Sequence, residues 1–326
     1  MVEPAQAGLV SILIVTFNSA KTLSACLDSV RQQDYAPLEI IVVDNNSADG
    51  TREILAACSC QLILNSENRG FAAAQNQAIQ AARGEWLLCL NPDVLLSRNF
   101  VSALMAERAR DPSVGTLCGK LLRWAPDAAE ERTRVLDSTG IEFLRNLRHL
   151  DRGAEQPDHG QFDKLEYVFG ATGAAALYRK RMVEEVSIEG EFFDESFFSF
   201  REDADLAWRA QLLGWRCLYI PAAVGWHQRR VTPERREQLP HEINWHSAKN
   251  RFLMRAKNAG WGVSWRTWFP VLARDALIVG YAALRDWRMF SALWYPLTHW
   301  HEVWRKRTWI QSRRRVSDAD IARWFR

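Results

Sequence analysis

Residues 10–20 read VSILIVTFNSA, and the fold turns on how they are taken. Val10 to Val15 is an unbroken apolar run, which suits a strand covered on both faces rather than one with a wet side. Asn18 and Ser19 follow as candidate caps of a helix whose apolar positions, Leu23, Cys26, Leu27 and Val30, keep helical spacing. The unit then repeats. Leu38–Val43 is a second strand, and Asp44-Asn45-Asn46-Ser47 turns into a short helix through Arg52–Ala57. Gln61–Leu64, a helix over Gly70–Ala82, and a strand over Glu85–Leu90 complete four units. Such an alternation predicts an α/β fold with a mostly parallel sheet and helices on both faces.

Beyond Val94 the pattern loosens. Arg98–Arg110 reads as a helix, and Asp111–Leu122 as a loop leading into a strand. Residues 124–165 are polar and read as loops and hairpins across one face. Val168–Tyr178 is rich in small residues, with Gly170 and Gly173 allowing close approach of the backbone to a neighbour or ligand. Glu191–Leu213 gives an acidic loop and a helix, Arg216–Ile220 a further strand. Helices rich in Trp and Arg fill residues 231–326, beginning near Thr232-Pro233. The expected organisation is thus an α/β domain over residues 1–230 and a helical region over 231–326.

Of the 326 residues 48% are hydrophobic and 25% charged, which excludes disorder as the main state. The net charge of +3 hides an uneven distribution: residues 246–326 carry +11 and the rest −8. Eleven of the 15 tryptophans lie at or beyond Trp226. A basic, Trp-rich end suggests an interface with anionic partners. The six cysteines form no CxxC pair and read as buried, reduced thiols of a cytoplasmic protein. The start of the chain has no basic n-region, and the apolar run Ala276–Leu284 is only nine residues, short of a membrane span. The expected location is cytoplasmic, peripheral to a membrane.

Polar residues gather after the carboxyl ends of the predicted strands: Thr16 and Asn18, Asp44 and Asn46, Asn68 and Arg69, Asn91 and Asp93. In open α/β sheets that edge binds ligands. Gly115–Lys120 has the wrong spacing for a P-loop, His241 and His246 are five apart rather than four, and no GxGxxG follows the first strand. A carboxylate at Asp93, closing a hydrophobic strand, suits a divalent cation on a diphosphate. Glu202, Asp203 and Asp205 crowd three acids before a helix, where mutual repulsion raises at least one pKa, as a general base requires. His227, 24 residues after Asp203, is a candidate partner for Asp93.

Ile14–Asn18, Val43–Ser47 (VDNNS), Asn68–Phe71 (NRGF), Leu90–Asp93 (LNPD), Phe198–Arg209 with its Glu202-Asp203 pair, and Trp226-His227 together resemble the successive motifs of family 2 inverting glycosyltransferases of the GT-A fold. Within that family the chain is most similar to bacterial rhamnosyltransferases using dTDP-L-rhamnose. The resemblance spans about residues 9–230 and the helix around Asn250. It implies that Thr16 and Asn18 line the nucleotide base, that Asp44 accepts the base N3–H, and that Asn46, Asn68, Arg69 and Asn91 complete the nucleotide-sugar site. Asp93 and His227 would ligate Mg²⁺ or Mn²⁺. Asp203 would be the catalytic base, with Glu202 and Asp205 setting its charge and orienting the acceptor.

Asn91 departs from the family's first DxD aspartate, which lowers the charge of the metal site. The implied acceptor is a lipid-linked or cell-surface glycan, such as a polyprenyl-diphosphate sugar. A nucleotidyltransferase and a non-catalytic sugar-nucleotide sensor at the membrane surface are the rival readings. Arg305-Lys306-Arg307 and Arg313-Arg314-Arg315, interleaved with Trp, are expected to meet anionic lipid. Packing of the Trp side chains on the α/β domain or on a second subunit is the alternative. No nucleic-acid-reading module is recognisable.

Overall fold

The computed structural model describes residues 5–124, 132–229, 241–260 and 265–326. Strands β1 (Gln6–Thr16), β2 (Leu38–Asp44), β3 (Gln61–Leu64) and β4 (Gly84–Leu90) run parallel in the spatial order β4-β1-β2-β3. Helices α1 (Ala20–Arg31), α2 (Thr51–Ala56) and α3 (Gly70–Ala81) connect them. On β1, Ile12 and Ile14 enter the core beneath α1, whereas Leu13 and Val15 enter the one beneath α3. Both faces of the strand are dry, which is why its sequence shows no alternation.

The cap of α1 differs from expectation. Ser19 stands at the N-cap, but its hydroxyl turns back to the carbonyl of Phe17. Asp49, from the loop after β2, takes the amide of Ala20 instead, at 3.2 Å.

Past β4 the sheet is mixed rather than parallel. The chain continues through β5 (Val94–Leu96), α4 (Phe100–Ala106), β6 (Val114–Trp124) and β7 (Arg132–Ser138). A small hairpin of β8 (Ile141–Phe143) and β9 (His149–Asp151) follows, then β10 (Glu166–Val168) and β11 (Ala175–Arg179). β11 inserts antiparallel between β4 and β6. Helices α5 (Lys180–Val186) and α6 (Glu202–Leu212) precede β12 (Arg216–His227), which runs parallel to β6. The strand expected to end at Ile220 therefore continues to His227. Pro221 has no N–H for a ladder, and the register shifts between Ile220 and Val224 to absorb it.

Among the described residues five α-helices end the chain: α7 (His241–Asn258), α8 (Trp265–Leu284), α9 (Phe290–Thr298), α10 (Trp300–Ser312) and α11 (Asp318–Ala322). Thr232-Pro233 and Trp261 lie outside the described residues. Leu253, Met254, Val303, Ile310 and Phe325 join the core that holds α3, α5 and α6. Phe325 packs edge-on to Trp208, with ring centroids 5.6 Å apart. Buried Lys306 of α10 reaches Asp194 at 2.7 Å and Glu191 at 3.0 Å, and Lys257 of α7 also binds Asp194. Burial opposes charge on Asp194, but the two ammonium groups outweigh it and hold the carboxyl well below the ordinary carboxylate range.

Two details depart from the sequence reading of the basic, cysteine-containing segments. Arg305 pairs with Glu189, Arg307 donates to the carbonyls of Ala256 and Ala259, and Arg314 and Arg315 pair with Asp318 and Glu185. These basic clusters, expected to meet lipid, are largely committed to protein. Cys26, Cys89, Cys118 and Cys217 are buried free thiols, but Cys58 and Cys60 are only partly covered. Among the described residues no helix is long and apolar enough to cross a membrane.

Candidate active site

The parallel register sets Thr16 beside Asp44 and Asp44 beside Leu64, so the loops after β1, β2 and β3 meet along one sheet edge. Asn18 ties the first two together: its amide donates to Ser47 Oγ at 2.9 Å and its Oδ1 accepts from the Ala48 amide at 2.9 Å. Asn18, Asn46, Asn68 and Arg69 are exposed on this rim, whereas Thr16 and Asp44 lie buried beneath it. Asp44, the expected acceptor of a base N–H, is not open. Thr16 Oγ1 donates to its Oδ1 at 3.0 Å, and Ser47 N and Arg52 Nε donate to its Oδ2 at 3.1 and 2.7 Å. Burial opposes its charge, yet these donors outweigh burial and lower its pKa.

Asn45, which sequence reasoning passed over between Asp44 and Asn46, organises the loop. Its Nδ2 donates to Asn68 Oδ1 at 2.9 Å and to the Gly70 carbonyl at 3.0 Å, and its Oδ1 accepts from the Arg69 amide at 3.1 Å. Its place in the VDNNS motif was the available signal. Gly70 has φ +82°, and a Cβ there would fall 2.5 Å from the Phe198 ring, so the NRGF turn lies directly on the loop that leads into α6.

That loop is strained. Phe198, Phe200 and Arg201 have φ of +63°, +69° and +69°, values that side chains bearing a Cβ rarely adopt. Buried Asn250 of α7 holds it, donating from Nδ2 to the carbonyls of Phe197, Ser199 and Phe200 at 3.0, 2.8 and 2.7 Å. Arg201 Nε donates to the Ser247 carbonyl at 2.9 Å.

The clamped loop presents Glu202 and Asp203 to a cavity of about 710 Å³ also lined by Asn91, Asp93, His149, Arg201, His227 and Arg229. Asp203 accepts from the amides of Gly173 and Ala204 at 2.9 and 2.7 Å. Burial raises its pKa. Glu202 is almost covered, Oε2 has no hydrogen-bond partner, and burial together with the Asp203 carboxylate pushes its pKa up to about 8. Gly173 is thus a ligand of the carboxylate. Gly170 serves packing instead, since a Cβ there would lie 2.2 Å from that of Ala207 in α6.

Asp205 does not belong to this group. Two residues on from Asp203, the helix has turned by about 200°, and Asp205 is fully buried with its Oδ1 2.7 Å from Asn258 Nδ2 and 3.2 Å from Lys257 Nζ. It anchors α7 and does not reach an acceptor.

On the same cavity, β12 delivers His227 to Asp93. His227 Nε2 stands 3.5 Å from Asp93 Oδ1, while Nδ1 is 2.7 Å from Asp137 Oδ2. Asp137 is fully buried and is braced by Arg123 at 3.1 Å and Arg229 at 3.2 Å. Burial pulls the imidazole pKa down, but Asp137 and Asp93 overcome it and lift it to about 9. Asp137 lies in the stretch read only as loops and hairpins, and no local pattern marks it.

The donor set fits a hard divalent cation. Asp93 Oδ1 and Asn91 Oδ1 are buried without hydrogen-bond partners beside the imidazole. The Asp137 contact is the kind of outer carboxylate that orients a ligating histidine. Among the described residues no group of three or more His, Cys, Asp or Glu side chains is placed to hold an ion by itself.

Comparison with known proteins follows the same lines. The chain is 26% identical over 278 residues to the N-acetylglucosaminyl-diphospho-decaprenol L-rhamnosyltransferase of Mycobacterium tuberculosis, covering 78% of this chain and 86% of that protein. It is 24% identical over 251 residues to the poly-beta-1,6-N-acetyl-D-glucosamine synthase of Staphylococcus aureus, covering 76% of this chain. It spans only 56% of the length of that synthase. The mannosyltransferase PcManGT from Pyrobaculum calidifontis, solved with GDP-Man and Mn²⁺, superposes over 97% of this chain and 87% of its own, with a TM-score of 0.52 at 18% identity. The mixed sheet and its helices are the GT-A glycosyltransferase fold. Residues 11–187, more than half of the chain, match the family described as Glycosyl transferase family 2, and the chain belongs to that family.

Proposed function

We propose that the protein is an inverting glycosyltransferase that moves L-rhamnose from dTDP-L-rhamnose to a lipid-linked or cell-surface glycan, with a polyprenyl-diphosphate sugar as the acceptor. The observation that carries the reading is one cavity lined both by Asp93 and His227 and by Glu202 and Asp203. Such a pocket can offer a metal-binding end for the leaving group and a base to one substrate. The sugar assignment is supported by the rhamnosyltransferase relative, which is matched over 86% of its length.

In this reading Asn18, Asn46, Asn68 and Arg69 line the nucleotide, Thr16 acts from beneath by donating to Asp44, and Asp44 meets the base once Arg52 moves off its carboxylate. Asp93 and His227, with Asn91 beside them, would hold Mg²⁺ or Mn²⁺, which when bound neutralises charge on the departing diphosphate. To act as a ligand His227 must give up its Nε2 proton, and the contact with Asp137 keeps the ring oriented as it does so. Asp203 takes the proton of the acceptor hydroxyl. The acceptor oxygen bonds to the anomeric carbon as the bond from that carbon to the diphosphate oxygen breaks, its electron pair leaving with the diphosphate. Glu202, neutral below about pH 8, adds no second negative charge next to the base.

A donor screen tests this. The purified chain with Mn²⁺ should hydrolyse or transfer from dTDP-rhamnose in preference to UDP-N-acetylglucosamine and GDP-mannose, with inverted anomeric configuration in the product. Turnover of UDP-N-acetylglucosamine alone overturns the rhamnosyl assignment. Failure to bind or turn over any nucleotide sugar overturns the transferase reading.

A further inference from the structure

All but two of the exposed large hydrophobic side chains among the described residues lie between Trp268 and Trp304. Phe269 is 79% exposed, Leu277 68% and Leu284 85% on α8, and Trp287 75% and Trp294 58% on and before α9. Around α8 the side chains turned toward the protein include Val271 and Ala282, and from Trp268 to Leu284 the remaining arc, more than half the circumference, exposes no charged group among the described side chains. A soluble surface helix ordinarily shows the reverse pattern. The helices α8 and α9 pack on each other and on Trp245 of α7 through a small core of Ala248, Ala282, Met289 and Ala292, separate from the two main cores. They form a ledge whose apolar side has no protein partner among the described residues.

We propose that this ledge docks on the surface of an anionic lipid bilayer, with α8 lying in the interfacial plane. Three observations select a bilayer over a second copy of the chain. Residues 265–301 contain two acids, Asp275 and Asp286, and both are engaged, by Arg251 and Arg255 and by His241. Arg285 and Arg288 stand exposed just past α8, Arg288 with a 3.8 Å contact to Asp286, so the surplus charge beside the apolar face is positive and suits acidic headgroups, whereas two apposed copies would bring like charges together. The aromatic residues are mainly tryptophan, which favours the headgroup boundary. The helix, 20 residues long with Arg274 and Asp275 at its middle, is not apolar enough to cross, so lying flat is the geometry left to it. The contact surface is this apolar face, not the Arg305–Arg307 and Arg313–Arg315 clusters. The inference rests on the surface alone and holds whichever sugar is transferred.

The full chain, without donor or acceptor, is sedimented with vesicles of phosphatidylcholine alone or mixed with phosphatidylglycerol. Binding should require the anionic lipid and weaken as salt rises. The variant Phe269→Glu/Leu277→Glu/Leu284→Glu, altered only at exposed positions, should keep its melting temperature and lose roughly a hundredfold or more in partitioning, given the apolar area withdrawn. Brominated lipid should quench the tryptophans of the unaltered chain. Absence of vesicle binding, equal binding by the variant, or no quenching overturns the proposal. So does an unaltered chain that is dimeric and ignores vesicles while the variant is monomeric, which assigns the face to a second copy. None of these readouts depends on turnover, so a failed donor screen and a failed docking test are distinguishable.

Discussion

His227 Nδ1 lies 2.7 Å from a carboxylate oxygen of Asp137, a residue with no exposed surface. The imidazole is therefore positioned from behind before any ligand arrives at Nε2. Asp137→Asn should raise the Mn²⁺ concentration needed for half-maximal donor turnover by about 10–100-fold, the usual effect of losing such an outer partner. Titration of activity with Mn²⁺ checks it, and an unchanged midpoint would separate Asp137 from the metal end of the cavity.

Held by Asp93 and His227 as proposed, a cation would depend on the donor diphosphate for the rest of its shell. Calorimetry should find weak Mn²⁺ binding to the protein alone and much tighter binding in the presence of a nucleoside diphosphate. Tight binding without nucleotide, or full activity in excess chelator, contradicts this assignment.

Asp203→Asn should preserve donor binding and lower turnover about 10²–10⁴-fold, the worth of a positioned base. Glu202→Gln should cost less. A folded Asp203→Asn protein with near-normal turnover moves the base to another residue.

Glu202 also makes stability depend on pH. Its pKa rises from the ordinary 4.5 to about 8 in the fold, so the folded state holds a proton that the unfolded chain releases. The stability this proton confers is complete below about pH 4.5 and is lost as pH rises to about 8. Glu202→Gln, permanently neutral, should therefore gain in melting temperature relative to the unaltered protein across that interval and hold a constant difference above it. A pH-independent difference would contradict a buried, neutral Glu202.

Asn250→Ala leaves three loop carbonyls without their donor, at a cost of about 1–3 kcal/mol for each one left buried and unpaired. Melting temperature and turnover should both fall, with donor KM nearly unchanged because the amide touches the acid loop and not the nucleotide rim. Adding Phe200→Gly, which relieves a φ of +69°, should restore part of the turnover. A fall in stability with turnover intact would make Asn250 a packing residue only.

The half of the fold built on β1–β4 is legible because both faces of those strands are covered, and the residues that close them at the ligand edge keep their polar types. Asp93, Glu202, Asp203 and His227 are legible for the same reason: each stands next to a strand or helix end. What the sequence hides is direction and distance. Asp205 is chemically identical to Asp203, and only the turn of α6 sends it into the interior. The strand β12 is disguised by Pro221, and β11 by its alanines. Asp137 and Asn250 act through contacts 90 and about 50 residues away, and no local pattern can carry that. The basic runs after Trp304 look largely free in one dimension because, apart from Glu302 and Asp318 nearby, their acidic partners, Glu185, Glu189, Glu191 and Asp194, lie more than 100 residues earlier.

The buried pair of lysines around Asp194 has a consequence in time. A chain is made from its amino end, so the strands, the acid loop and α6 leave the ribosome before Lys257 and Lys306 exist. Until those cations arrive, Asp194 lacks its two countercharges and cannot stay dry, Asp205 has only Arg209 of its own helix at 3.8 Å, and the left-handed turn before Glu202 lacks the amide that holds it. The half built on β1–β4 can mature early. The acid loop is set late, when the last helices close over it, so in a nascent chain the β1–β4 edge takes shape before the carboxylates of Glu202 and Asp203 are fixed beside it.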